Sequence, residues 1–329
     1  MKYRQLVILF MIMVVSLHAQ CGSDSKTDPI LVLDPNPPQK VAKVFASGTI
    51  STFMDDWAIR FSPEGKEVYF TVTGRNQATI VSMKWKQGKW SSPEVLSFSG
   101  RYFDYAPVLS HDGKYLVFAS FRPVMANEEK SDPDLWIAKR KNSGWGVPSH
   151  LPFGINTPGK NDTWPSLDSR GNLYFSSNRE GGEGQNDLYV SRLVGNIYQQ
   201  PENMGKTINS ELGEYCPFIA PDGSYIIYEV VDKPGGLGGG DMYISVKLPN
   251  GTWRAPQNMG SAINSSRHDC YPCLSPNGRY LFFMSDRRSR TPRKSEKKLQ
   301  YEDIVENARK QGGWDIYWID AKILDQYLK

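Results

Sequence analysis

Residues 215–229 read YCPFIAPDGSYIIYE: a short apolar run, then Pro-Asp-Gly, then an aromatic-rich run ending in a carboxylate. Asp-Gly supplies the positive-φ residues of a tight turn, and both flanks have strand composition, so the stretch predicts a β-hairpin. The same phrase recurs as WAIRFSPEGKEVYF (57–70), YAPVLSHDGKYLVF (105–118), WPSLDSRGNLYF (164–175) and YPCLSPNGRYLFF (271–283). The turn glycines Gly65, Gly113, Gly171, Gly223 and Gly278 are 48, 58, 52 and 55 residues apart. That period marks a repeat architecture.

Four residues before each glycine the side chain is apolar: Phe61, Leu109, Leu167, Ile219 and Leu274. A second apolar strand follows through Phe70, Phe118, Phe175, Tyr228 and Phe283. Four units then show a third strand opening at Asp134, Asp187, Asp241 or Asp315, whereas the first unit has Thr79 there. An aromatic-to-proline segment ends the first four units: Trp90 and Pro93, Trp145 and Pro148, Tyr198 and Pro201, Trp253 and Pro256. Short strands without a helical period predict an all-β propeller of four-stranded blades, five of them, or six if a degenerate unit is hidden. The last unit stops at DIYWIDAKILDQYLK without a fourth strand, and AKVFASGTIST (42–52) precedes the first. The N-terminal strand is therefore expected to complete the final blade, since an unclosed ring leaves open edges.

The pattern P-x-x-S-P-D-G-x-x-L-x-F, with Asp-aliphatic-aromatic in the third strand, resembles the WD40-like PD40 repeat of TolB-type periplasmic β-propellers. The likeness spans residues 42–320, nearly all of the domain expected at 42–329. It implies a periplasmic or cell-envelope role and inner strands that line a central channel. Fold likeness does not set function, because propellers host binding, scaffolding and catalysis alike.

Nine residues before each turn glycine stands a carboxylate: Asp56, Asp104, Asp162, Glu214 and Asp269. In such a fold these acids ring one channel mouth, with Trp57, Tyr105, Trp164, Tyr215 and Tyr271 beside them. One reading is a carboxylate-and-aromatic mouth that binds a cationic, sugar-like or peptide ligand. The plainer reading is that each acid accepts backbone N–H bonds where the strand begins, and regular recurrence favours it. A glycosidase-like use of two carboxylates is the alternative function, but it needs acids in unlike environments, and the repeat predicts near-equivalent ones. No Gly-x-Ser-x-Gly or His-Glu-x-x-His motif is present. No catalytic residue or cofactor is assigned.

His268, Cys270 and Cys273, with Cys216 one blade earlier, can be drawn as a zinc set. Residues three apart on a strand point to opposite faces, however, so buried thiols and no metal are expected. Whether any two of these thiols pair after export is left open. The insert at 286–311 has seven basic residues within 287–298, then an amphipathic segment with Leu299, Ile304, Val305 and Ala308 on one side. The basic run reads as a solvated face, as a cap on the acidic mouth, or as a face toward an anionic surface polymer or a partner.

The first residues form an export signal. Lys2 and Arg4 precede the apolar run 6–17, and Cys21 follows His18, Ala19 and Gln20. The placement of Cys21 resembles a bacterial lipobox, in which that cysteine is lipidated, although His18 and Gln20 depart from the pattern. Residues 22–41 are polar and Pro-rich and read as a flexible spacer. A formal charge of +4 over 329 residues is mild and does not by itself argue for nucleic acid, since a basic footprint must be clustered to matter. The expectation is a non-catalytic, TolB-like monomer in the periplasm or at the outer membrane or cell surface, lipid-anchored, binding an envelope protein or polymer.

Overall fold

The computed structural model describes residues 28–52, 54–74, 77–125, 130–142, 144–287 and 313–329. The signal segment, Cys21 and most of the basic insert lie outside the described residues. Among those described, no helix is long and apolar enough to cross a membrane.

Each of the five repeated hairpins grows into one blade of a five-bladed propeller. Blade 1 comprises Asp55–Phe61, Glu67–Gly74, Gln77–Lys86 and Glu94–Val95; blade 2 comprises Asp104–Leu109, Tyr115–Ser120, Asp134–Lys141 and Ser149–His150. Blade 3 is built from Asp162–Leu167, Leu173–Ser177, Asp187–Ser191 and Glu202–Asn203. Blade 4 is built from Gly213–Ile219, Tyr225–Val231, Gly240–Val246 and Gln257–Asn258. All neighbours within a blade are antiparallel, and the outermost strands of blades 1–4 pair over only two residues, which keeps the exposed edges short.

Blade 5 shows the closure. Asp269–Leu274, Tyr280–Ser285 and Asp315–Asp320 come from the C-terminal part, and Lys43–Val44 adds the fourth strand through Lys43 opposite Trp318 and Val44 opposite Tyr317. Phe45, fully buried, locks the joint with edge contacts to Phe282 at 4.9 Å and Trp318 at 5.0 Å. The core is a set of apolar layers between blades, such as Phe45, Ile50, Phe70, Val81, Phe282 and Trp318 between blades 5 and 1. Part of the segment expected as spacer is packed against the domain at residues 28–34. Pro29–Leu33 is a short helix capped by Asp28, Ile30 is 2% exposed, and Trp90 Nε1 donates to the Pro29 carbonyl at 2.8 Å.

A second regularity is absent from the hydropathy pattern. Every inner strand bulges at one repeat position, seven residues before the turn glycine, where Ala58, Ala106, Trp164, Cys216 and Tyr271 have φ between 51° and 57°. Non-glycine residues in this left-handed region cost about 1–3 kcal/mol and persist where the surroundings over-determine them. A bulge of this kind locally breaks the ladder and bends the strand that carries it. Across it Cys270 pairs with Met284 and Cys273 with Phe282, and the two thiols face different blades: Cys270 meets Cys216 of blade 4, whereas Cys273 reaches Ile59 of blade 1.

The glycine-rich connections between second and third strands seal neighbouring blades. Gln185 N–H donates to Leu212 O at 2.8 Å, and Gly240 bridges to His268. A Cβ on Gly184 would stand 2.1 Å from Leu212 O, and one on Gly238 1.9 Å from Arg267 O. Backbone passes too close at these two positions for any side chain.

Candidate functional site

The structure gathers the five carboxylates at the start of the inner strands, but it seals them inside. Asp56, Asp104, Asp162, Glu214 and Asp269 are each 0% exposed. Each accepts from a hydroxyl residue four or five positions upstream. Asp56 takes Thr52 N–H at 2.6 Å and Oγ1 at 2.7 Å, and Glu214 takes Ser210 N–H at 3.1 Å and Oγ at 2.5 Å. Thr157 N–H reaches Asp162 at 2.6 Å, Ser99 Oγ reaches Asp104 at 3.0 Å, and Ser265 donates twice to Asp269. Each acid therefore fixes the connection that brings the chain in from the preceding blade.

The five environments divide into two kinds. In blades 2, 3 and 5 the second strand ends in Ser-x-Arg: Ser120 and Arg122, Ser177 and Arg179, Ser285 and Arg287. Arg122 Nη2 and Arg179 Nη2 lie 2.7 Å from Asp104 and Asp162, and Arg287 pairs with Asp269. The guanidiniums also reach the carbonyls of Phe98, Ile155 and Ile263 and stack over the aromatic pairs Phe118/Trp136, Phe175/Tyr189 and Phe283/Tyr317. Arg287 thus belongs to the blade framework and not to a solvated basic face.

Blades 1 and 4 lack this arginine. Val72 and Gly74, or Val230 and Asp232, occupy the Ser and Arg positions, and neither Asp56 nor Glu214 has an ion-pair partner among the described residues. Burial then dominates and raises both carboxyls to about 7, opposed by the Thr52 and Ser210 bonds and, at Glu214, by the charge of Lys233. Burial raises Asp104 and Asp162 as well, but there Arg122 and Arg179 work against it. Near-equivalent environments, expected from the repeat, are not what the fold builds. The three Ser-x-Arg tripeptides are a sequence signal that a search for acids alone passes over.

Of the aromatic partners four are in ring contact, Tyr271 edge-on to Trp164 at 5.5 Å, and one stands apart. Trp57, Tyr105 and Trp164 meet at centroid distances of 5.3–5.6 Å and, with Phe103 and Phe121, line an open apolar cup of 470 Å³ at the channel. Tyr271 lies deeper, 1% exposed, with Arg60 Cζ 4.2 Å from its ring centre. Tyr215 stands apart, half-buried, and its hydroxyl accepts from Asn186 Nδ2 at 2.8 Å. The third-strand Asp187 and Asp241 tie down their own loops through the N–H groups of Glu183 and Gly184, and of Leu237 and Gly238.

Of the residues drawn as a zinc set, only some converge. Cys216 Sγ, Cys270 Sγ and a Glu229 carboxylate oxygen lie within 4.8 Å of one another, and His268 Nδ1 is 3.3 Å from Glu229 Oε1. Cys273 points elsewhere and donates to Ile59 O at 3.1 Å. All three thiols are free and buried, and burial pushes them up toward the protonated form, which is the weaker metal ligand.

No protein-family model matches the chain, and no curated protein matches it in sequence. Solved structures do match in shape. A protein described as a TolB from Agrobacterium tumefaciens aligns with 16% identity over 70% of each chain, TM-score 0.47. TolB from Acinetobacter baumannii aligns with 14% identity over 80% of this chain and 54% of its own, TM-score 0.45. The α-L-arabinofuranosidase PaAbf62A from Podospora anserina aligns with 11% identity over 86% of this chain and 96% of its own, TM-score 0.51. At such identities the likeness establishes the β-propeller fold, and the functional reading has to come from the chain's own residues.

Proposed function

We propose that this chain is an exported, non-catalytic binding propeller that acts as a monomer and engages an envelope protein or polymer through the aromatic cup at its channel. One observation supports this reading above others: the carboxylates that hydrolysis would use are sealed and internally bonded, while Trp57, Phe103, Tyr105, Phe121 and Trp164 are gathered around an open hollow. Clustered aromatics offer large contact area at low rotamer entropy. The wild-type domain is expected to retain an envelope component that a Phe103→Ser/Trp164→Ser variant of unchanged thermal stability releases. Equal retention by both proteins would remove the cup from the mechanism. Export and tethering are tested separately: Cys21→Ser should free the protein from the membrane fraction and abolish fatty-acid labelling.

A second reading is a carbohydrate-active enzyme, favoured by the unlike environments of the acids. Two carboxyls near 7 beside three held by arginine are the kind of asymmetry acid/base chemistry needs. Turnover of arabinose-substituted glycans, lost in Glu214→Gln, would replace the binding reading with this one.

A further inference from the structure

The arginine missing from blade 1 leaves a space. The side chains that fill the corresponding slot in blade 2 are Ser120, Arg122, Phe118 and Trp136, closed over Asp104. In blade 1 the same register positions hold Val72, Gly74, Phe70 and Val81 around Asp56. The carboxylate and one ring are retained; the hydroxyl, the guanidinium and the second ring are gone. The result is a cavity of 760 Å³ with Asp56, Phe70, Val72, Gly74, Val81 and Val95 among its walls. Its buried carboxylate is incompletely satisfied, for Asp56 is 0% exposed and its Oδ1 has no hydrogen-bond partner among the described residues. Ile50 takes the repeat position of Phe98 and Ile263, whose carbonyls accept from Arg122 and Arg287 in the sister blades. Blade 4, which also lacks the arginine, covers its ring differently, with Lys233 Nζ 4.5 Å from the centre of Tyr243.

We propose that this slot binds an alkylguanidinium group, which takes the place Arg122, Arg179 and Arg287 occupy in blades 2, 3 and 5. The guanidinium pairs with Asp56 Oδ1 and the Ile50 carbonyl and lies against Phe70, while its alkyl chain runs along Val72, Val81 and Val95. A planar fork suits this better than an ammonium, because the sister sites use the same group to span a carboxylate and a carbonyl at once. The slot is distinct from the aromatic cup, and nothing in the proposal depends on the function assigned to that cup. Ion pairing needs the ionised carboxylate, and the charged groups facing Asp56 are Asp55 and Asp315, both acidic, so binding should strengthen as pH rises through 7.

The test is calorimetric titration of the whole exported chain with Nα-acetyl-arginine N-methylamide, its citrulline counterpart and free arginine at pH 8. Saturable binding of the arginine amide is expected, with the neutral citrulline compound at least about tenfold weaker, the loss that follows from one charge-assisted bond. Asp56→Asn should weaken it by a similar factor. Gly74→Arg, which restores the arginine of the sister blades, should abolish it; the Cβ at Gly74 meets only the flexible Met54 Cε at 3.0 Å. Val81→Trp, filling the slot with the blade 2 side chain, gives the same readout if Gly74→Arg folds poorly. Tighter binding of the blocked amide than of free arginine identifies a peptide side chain as the source, and equal binding identifies a small molecule. Citrulline binding as tight as arginine, or binding indifferent to both filling variants, overturns the proposal.

Discussion

Asp56→Asn should remove a pH-dependent loss of stability that the wild-type protein carries toward neutral pH. Asp56 is fully buried, and its carboxyl is raised from an ordinary 3.8 to about 7 by desolvation. The folded state therefore holds a proton that the unfolded chain releases near pH 4. A raised carboxyl contributes its stability in full below the unfolded value and loses it as pH climbs through the folded one. A gap of about three pH units corresponds to on the order of 4 kcal/mol, at about 1.4 kcal/mol per unit. Glu214, raised from 4.5 to about 7, adds a loss of on the order of 3 kcal/mol in the same window. An amide never ionises, and its oxygen still accepts from Thr52 N–H and Oγ1. Urea midpoints of wild type, Asp56→Asn, Glu214→Gln and the double variant from pH 4.5 to 8.5 give the differences directly. The variants should lie close to wild type at the acid end and gain on it steadily toward pH 8. Parallel curves for wild type and Asp56→Asn would refute the claim that this carboxyl is buried without a cation.

Three further outcomes follow from the blade framework. Phe45→Ala should cost about 3–5 kcal/mol in chemical denaturation, because it empties a fully buried site at the closure of the ring. Arg179→Ala should cost about 3–5 kcal/mol by stranding Asp162 in the interior, and Arg179→Ala/Asp162→Ala should recover part of that loss; a double variant no better than the single would show that packing and not charge is responsible. Gly238→Ala should cost at least about 1–3 kcal/mol, read from the thermal midpoint, because the new methyl would meet the Arg267 carbonyl.

The sequence by itself determined the propeller and its closure and narrowed the blade number to five or six, and the assembled sheets show five. Each blade repeats one hairpin: the turn glycine and the apolar strands flanking it recur in all five copies, and the third-strand Asp in four. The fourth strand of the last blade was legible for the same reason: its absence after residues 315–320 and its presence at 43–44 are both visible along the chain. The positions of the five acids were legible too, but their condition was not. Whether a carboxylate is charged depends on what stands within a few ångströms of it, and Arg122, Arg179 and Arg287 lie 17–18 residues from the acids they neutralise. The αL bulge at Ala58, Ala106, Trp164, Cys216 and Tyr271 has no residue signature, because the surrounding sheet imposes that backbone and none of these side chains prefers it. Only the assembled ring decided which acids are paired, which thiols meet and where blade 1 is hollow. Those are properties of distance between strands, and a strand's own sequence carries its partner's side chains nowhere.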